Sequence, residues 1–101
     1  LHHGTLNAVF LPAVLRFNAP ECGDKYERLR LAIGLASGAD LADAVAAMNA
    51  DIGLPAGLGA MGVEEDDIPE LIAYAQKDLS ARTNPRQASA DDFEMMIRQS
   101  L

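Results

Sequence analysis

Apolar residues in the first part of the chain recur with the spacing of one face of an α-helix. They stand at i, i+3, i+4, i+7, i+8 and i+11, in the set Leu6, Val9, Phe10, Ala13, Val14 and Phe17. Since Leu11 and Leu15 widen this stripe, we expect a helix over residues 5–17 that is the most buried of the protein. Pro12 cannot donate a backbone hydrogen bond to the carbonyl of Ala8. We therefore expect a kink at Pro12, or two short helices that meet there.

The same periodicity recurs in four later segments. It predicts helices over residues 25–33, 40–52, 67–79 and 90–100. Start signals of the capping type precede or open three of them, at Asp24 with Glu27, at Asp40, and at Ser89 with Asp92. Stop signals follow the first two, at Gly34 and at Gly53-Leu54-Pro55.

A glycine-rich segment, residues 53–63, separates the third and fourth predicted helices. Its apolar residues Leu58, Met61 and Val63 can anchor it, so we expect an ordered loop with a short helical turn. The acidic residues 64–67 come next. Carboxylates at this place suit the positive end of a helix dipole, which favours a helix start here.

No segment alternates apolar and polar residues as a half-buried strand does. Half of the 101 residues are apolar, yet 5% are aromatic and none is Trp, so the core should consist of aliphatic helix faces. The length suits one core. The sequence therefore predicts one all-α domain over residues 1–101, a bundle of about five main helices.

Charge and cysteine content narrow the class of protein. Fifteen acids against eight bases give a net charge of -7, which disfavours nucleic acid and anionic membranes as partners. The single Cys22 cannot form an internal disulfide and has no neighbouring base, so we expect it to be inert. We also expect a cytoplasmic protein, and the start at Leu1 without Met suggests a piece of a longer chain.

The residues by themselves give a weak signal for a metal site. His2 and His3 are adjacent, so on a helix they would point about 100 degrees apart. No third His, Cys pair or regularly spaced carboxylate accompanies them. A ligand role and a solvated or capping role both remain open on this basis.

The residues around this pair form a longer motif. It comprises His3, Gly4, Leu6, Asn7, Ala8, Leu11, Pro12, Val14, Leu15, Phe17 and Asn18. Further short matches follow in order, at Lys25-Tyr26, Gly53-Leu54-Pro55, Gly62-Val63, Asp66 to Pro69 and Asn84-Pro85-Arg86. Over essentially its whole length, the chain resembles the C-terminal part of the iron-containing alcohol dehydrogenases.

This resemblance implies a two-domain enzyme with a dehydroquinate synthase-like fold. Its N-terminal α/β domain, absent from this chain, binds NAD or NADP, and its C-terminal helical domain holds Fe2+ or Zn2+ through one Asp and three His. The histidine before Gly matches His3, so the resemblance makes His3 one metal ligand of four. The metal would act as a Lewis acid on the alcohol while hydride passes to the nicotinamide.

Three further residues are candidates for a place near the metal or in the substrate pocket. His2 stands where many family members have Pro, and Asn7 lies one helical turn after His3, where its amide could orient a ligand or bond locally. Ser80 matches a pocket position of some relatives, although a loop serine after a helix is ordinarily a cap. In Asn84-Pro85-Arg86 we expect a structural role, with the arginine clamping carbonyls or a carboxylate.

Two functions of different classes follow. In the first, the chain is part of an NAD(P)-dependent alcohol or hydroxy-acid dehydrogenase, and the complete enzyme is a homo-oligomer. The isolated fragment is then expected to be inactive and to bind no cofactor. In the second, it is an autonomous acidic helical interaction module without catalysis. We also expect exposed apolar surface at Leu11, Leu15 and Phe17, which a neighbour would cover.

Overall fold

The computed structural model describes residues 3–78 and 82–101, and of His3 the backbone alone. The described residues form five main helices and no strand: α1 (His3–Asn18), α2 (Gly23–Ala32), α3 (Leu41–Asp51), α4 (Ile68–Lys77) and α5 (Ala90–Ser100). Single 3-10 turns lie at Ala19–Glu21, Gly59–Met61 and Glu65–Asp67. The predicted all-α class and the five predicted helices are confirmed. None of these helices combines the length and apolar character needed to span a membrane.

Helix α1 is continuous through Pro12, so the alternative of two short helices meeting there is wrong. It is the most buried of the described helices, as the sequence predicts, with Val9, Pro12, Ala13, Phe17 and Asn18 all buried. It packs along α3 on one side and α5 on the other, and α4 packs along α5. Helix α1 thus lies between α3 and α5, and α4 is joined to it mainly through α5.

Side-chain caps begin α3 and α5, as predicted. The carboxylate of Asp40 accepts a hydrogen bond from the backbone N–H of Asp43 at 2.9 Å. Before α5, the Ser89 hydroxyl accepts from the N–H of Asp92 at 3.2 Å, while the Asp92 carboxylate accepts from the N–H of Ser89 at 2.9 Å. These bonds satisfy N–H groups that have no partner within the helix.

Helix α2 begins differently, and the start signal at Asp24 with Glu27 is wrong. The helix starts at Gly23 without a side-chain cap, because the chain enters it directly from the preceding 3-10 turn. Cys22 joins the two: its N–H donates to Ala19, and its carbonyl accepts from the N–H of Tyr26 at 2.8 Å.

The glycine-rich loop is ordered and folded down, as predicted. Leu58 is 2% exposed and Val63 8% exposed, within a core cluster that also holds Val9, Ile68 and Ile97. The loop also holds the end of α5: the N–H of Leu58 donates to Ser100 at 2.6 Å, and that of Gly59 to Leu101 at 3.2 Å. The loop therefore covers helix-end carbonyls that have no partner within α5.

The expected exposure of three apolar residues on α1 is only partly correct. Leu11 is 41% exposed and Leu15 half-buried, but Phe17 is 3% exposed. Phe17 packs with Ala13 and Met96 in a second core cluster, so its own chain covers it. Larger exposures occur elsewhere, at Leu29, Leu31, Ile33, Met48, Ile52 and Tyr74.

Candidate functional site

The candidate site lies at the N-terminal end of α1. His3 is the first residue of that helix, and its side chain lies outside the described part of the structure. Asn7 follows one turn later on α1 and is exposed. His2 and Ser80 lie outside the described residues. The ligand role of His3 and the roles of its three companions therefore stay predictions.

The described side chains form no metal site of their own. In residues 4–78 and 82–101, no three His, Cys, Asp or Glu residues come together in a group that could hold a metal ion. His3 is the candidate donor that the sequence supplies, and a neutral imidazole is a suitable ligand for iron or zinc. The chain's donors thus fit one position of such a site, and the remaining ligands would have to come from elsewhere.

The first half of α1 is held against α4 and the glycine-rich loop. Leu6 and Phe10 stand three and seven residues after His3, and both pack against the core cluster around Leu58 and Ile68. Leu71 and Ile72 of α4 pack against the same cluster. The backbone that carries His3 is therefore anchored in the main core within one helical turn.

A side chain from α3 supplies the hydrogen bond that Pro12 removes from α1. Pro12 has no N–H for the carbonyl of Ala8, four residues earlier. The side-chain amide of Asn49 donates to that carbonyl at 2.8 Å, in a partly buried position. A side chain can satisfy an unpaired carbonyl in a helix as an N–H does, which accounts for the continuity of α1.

The Asn84-Pro85-Arg86 segment binds the C-terminal end of α1 through side-chain hydrogen bonds. The side chains of Asn18 and Asn84 exchange two hydrogen bonds, of 2.9 and 2.6 Å. Arg86 donates to the carbonyl of Phe17 at 2.8 Å, and its guanidinium lies 4.2 Å from the centre of the Phe17 ring. The expectation that this arginine clamps carbonyls is confirmed, and the segment fixes where α1 ends.

An open apolar cleft of about 260 Å³ lies between α1, α4 and α5. Phe10 and Val14, which stand seven and eleven residues after His3 on α1, form part of its wall. Asp78 and Asn84 are its polar groups; the other lining residues are Phe17, Ala75, Ala88, Phe93 and Met96. Residues 79–81, with Ser80 among them, follow Asp78 and are not described.

Two ionisable groups of α2 have clearly shifted pKa values, and both take part in hydrogen bonds within the fold. Burial, and then the neighbouring Cys22 thiol, raise the pKa of Tyr26, whose hydroxyl donates to the Leu15 carbonyl at 2.9 Å. A hydrogen bond from Ser37, assisted by Arg30, lowers the pKa of Glu27. Both residues lie on α2, so neither shift marks an acid or base at the N-terminal end of α1.

Sequence reasoning missed Asn49 and Asn18 as structural residues. A usable signal existed for Asn49, because Pro12 leaves a carbonyl without a donor and Asn49 is a side-chain amide among the alanines of α3. Asn18 gave no such signal, since its partner Asn84 is 66 residues away. Its burial at 7% becomes understandable only once that pairing is seen.

Comparison with known proteins agrees with this architecture. The C-terminal family profile of the Fe-containing alcohol dehydrogenase family matches residues 1–101. The chain is 52% identical over 105 residues to a 4-hydroxybutyrate dehydrogenase of Cupriavidus necator, covering 100% of this chain and 28% of that protein. It is 38% identical over 99 residues to a lactaldehyde reductase of Escherichia coli K12, covering 90% of this chain and 26% of the relative.

A third relative is a 1,3-propanediol dehydrogenase of Citrobacter freundii. It is 35% identical over 106 residues, which cover 97% of this chain and 27% of the relative. The chain therefore spans about a quarter of the length of these proteins, and the matches favour the dehydrogenase hypothesis over an autonomous interaction module. With its whole length matched by the family profile, the chain belongs to the Fe-containing alcohol dehydrogenase family.

Proposed function

We propose that the chain is the C-terminal helical domain, residues 1–101, of a metal-assisted dehydrogenase that acts with NAD or NADP. The supporting observation is the family match along the whole chain, together with an all-helical fold built around α1. The complete protein would transfer hydride between a nicotinamide cofactor and a small alcohol or hydroxy acid. It would be a cytoplasmic homo-oligomer.

Among possible substrates, we propose 4-hydroxybutyrate as the first to test. The relative that is 52% identical is a 4-hydroxybutyrate dehydrogenase, whereas those at 38% and 35% are a lactaldehyde reductase and a 1,3-propanediol dehydrogenase. All three names describe small, oxygenated, aliphatic compounds. The proposal therefore covers short hydroxy acids first and short diols second.

The role proposed for this chain at the active site is to hold one metal ligand, His3. When bound, Fe2+ or Zn2+ would supply Lewis-acid chemistry toward the substrate oxygen. The chain's own contribution is placement. Helix α1 starts at His3, packs through Leu6 and Phe10 on the core cluster that includes Ile68 of α4, and is bound at its far end by Arg86. Such anchoring helps to keep a ligand within reach of its metal.

The remainder of the site would come from the N-terminal domain of the same protein and from the sequence that joins it to this chain. The glycines of residues 57–62 have the spacing of a dinucleotide turn, but they lie in a loop between α3 and α4, and the described residues include no strand of the kind that such a turn follows. The family resemblance would place the other metal ligands outside this sequence. We therefore propose that the isolated chain is inactive and binds no cofactor. His2, Asn7 and Ser80 would lie near the metal or the substrate without ligating the metal.

The test is a comparison of two neighbouring substitutions in the complete protein. His3→Ala should remove a bond to the metal, lowering metal content and with it the turnover of 4-hydroxybutyrate. His2→Ala is the matched control and should change both far less, because the family motif assigns the ligand position to the histidine directly before Gly4. Metal analysis of the purified proteins and initial rates measure the two effects. Equal losses, or a larger loss for His2→Ala, would mean that the ligand is wrongly assigned.

A further inference from the structure

We propose that Asn49 of α3 is a positioning residue for His3. Its amide replaces the hydrogen bond that Pro12 removes from α1, and it thereby sets the direction of the half of α1 that carries His3. The inference rests on the proposed function in one respect, the role of His3 as a metal ligand. The hydrogen bond itself is a property of the fold.

The position of Pro12 divides α1 into two parts. Residues 3–11 carry the candidate ligand and include the core residue Val9. Residues 13–18 include the buried Ala13 and Phe17, and their end is bound by Asn84 and Arg86. A proline inside a helix removes one backbone hydrogen bond and crowds the preceding turn, so the two parts are less firmly coupled than in an ordinary helix. Their relative direction must then be fixed by contacts from outside the helix.

Helix α3 supplies such a contact at the Ala8 carbonyl, which has no donor within α1 because of Pro12. The Asn49 amide donates to the Ala8 carbonyl at 2.8 Å, and the two residues are 41 positions apart in the sequence. Both are half-buried. A partly desolvated carbonyl needs such a donor, since leaving it unpaired costs about 1–3 kcal/mol.

Close to this bond, Asn49 is the polar residue among aliphatic neighbours. The open cleft beside it is lined by Val9 and Pro12 of α1, by Ala46 and Ala50 of α3 and by residues 54–56. Another polar contact between α1 and α3, the Arg16–Asp43 ion pair of 2.8 Å, lies in the second half of α1. Small alanine side chains let α3 approach α1 closely, but they exert no directional force. The amide hydrogen bond is directional, so it fixes the rotation of the first half of α1 where the alanines cannot.

The consequence for the site follows from helix geometry. Ala8 lies five residues after His3, a distance of about 7.5 Å along the axis at 1.5 Å per residue. A change in the direction of this half of α1 therefore moves the ligand-bearing end directly. Loss of the Asn49 bond should weaken metal binding without removing any ligand, as happens when groups that orient ligands are removed.

The experiment is a double-mutant cycle in the complete protein, with Zn2+ as the probe and its dissociation constant measured by chelator competition. Asn49→Ala should raise that constant about tenfold, the lower end of the range for groups that orient ligands. Pro12→Ala restores an N–H that can donate to the Ala8 carbonyl. In the Pro12→Ala background, Asn49→Ala should therefore cost no more than about twofold, because the bond it supplies is now made within α1.

A matched control removes stability from the same helix without touching this bond. Asp40→Ala deletes the cap of α3, where the Asp40 carboxylate accepts from Asp43 at 2.9 Å, and should lower stability but leave the Zn2+ dissociation constant unchanged. If Asn49→Ala does not fold, Asn49→Leu carries the comparison, since it nearly keeps the size, loses the amide donor and adds no charge. This substitution should likewise raise the Zn2+ dissociation constant about tenfold in the parent protein and no more than about twofold in the Pro12→Ala background.

The outcomes separate this inference from the proposed function. An equal effect of Asn49→Ala in both backgrounds, or an equal rise in the dissociation constant for Asp40→Ala, would overturn the positioning role. His3→Ala is measured alongside. If His3→Ala leaves Zn2+ binding unchanged, the proposed function fails; if it weakens binding while Asn49→Ala does not, the positioning inference alone fails.

Discussion

At the residue scale, several backbone carbonyls lack a hydrogen-bond donor within their own helix, and residues from elsewhere in the chain supply the donor. Pro12 leaves the Ala8 carbonyl unpaired, and Asn49 satisfies it. The end of α5 leaves the carbonyls of Ser100 and Leu101 unpaired within the helix, and the N–H groups of the glycine-rich loop satisfy them. Backbone groups away from water need a partner, so these contacts constrain the residues that make them.

Gly57 is the glycine most tightly constrained by such a contact. A Cβ built at this position would lie 2.3 Å from the Leu101 oxygen and 2.7 Å from the Ser100 oxygen, both backbone atoms. Gly57→Ala should therefore push the loop off the end of α5 and break the bonds from Leu58 and Gly59. We expect the free energy of unfolding to fall by about 1–3 kcal/mol or more, as measured by chemical denaturation.

Gly23→Ala is the control for this effect. Gly23 opens α2, and a Cβ there would meet nothing within 4 Å. Alanine is favoured over glycine in helices by about 0.5–1 kcal/mol, so this substitution should leave stability unchanged or raise it slightly. A Gly57→Ala protein as stable as the Gly23→Ala protein would show that the loop can move away from α5 without loss.

At the element scale, the sequence predicts what depends on local spacing and misses what depends on distant partners. Helical periodicity located all five helices, and the caps at Asp40 and Ser89 formed as expected. The start of α2 was misplaced because a backbone junction through Cys22 replaces a side-chain cap. At the candidate site, His3 followed from family resemblance alone, whereas Asn49 acts through a partner 41 residues away.

The capping box of α5 makes a prediction about pH. The backbone N–H of Ser89, and then its hydroxyl, bond the Asp92 carboxylate and lower its pKa. A group whose pKa is lower in the folded state stabilises the fold above its unfolded pKa, and this contribution is lost as pH falls through the folded value. The stability from Asp92 should therefore be complete at neutral pH and decline below about pH 4, where an unfolded aspartate titrates.

The measurement is the free energy of unfolding against pH for the protein and for Asp92→Asn. The asparagine can still accept the bond from the Ser89 N–H, but it does not titrate, so the variant should lose less stability than the parent between pH 4 and pH 2, values set by the ordinary aspartate pKa of about 3.9. Parallel curves for the two proteins over this interval would contradict the assignment. They would mean that other carboxylates account for the acid sensitivity.

At the scale of the whole molecule, the described chain has a real core and considerable apolar surface outside it. Leu58 and Ile68 are 2% exposed, whereas Leu31 is 65% and Ile52 68% exposed. Most of the strongly exposed apolar residues lie on or beside α2 and α3. A large contiguous apolar patch marks an interaction surface, and the chain spans about a quarter of the length of its relatives.

The last prediction concerns the activity of the 101-residue chain by itself. Hydride transfer needs a nicotinamide held against the substrate. Residues 57–62 (Gly-Leu-Gly-Ala-Met-Gly) have the glycine spacing of a dinucleotide turn, but they lie in a loop with a 3-10 turn between α3 and α4, and the described residues include no strand that leads into it. The purified chain should therefore oxidise neither 4-hydroxybutyrate nor 1,3-propanediol with NAD or NADP, with or without added Zn2+ or Fe2+. Formation of NADH or NADPH, followed by absorbance, is the measurement, and a helical circular dichroism spectrum must accompany it so that inactivity is not caused by unfolding. The complete protein is the positive control, and its turnover should depend on added metal. Cofactor-dependent turnover by the isolated chain would place the nucleotide site within residues 1–101 and would contradict the division of labour proposed for the two domains.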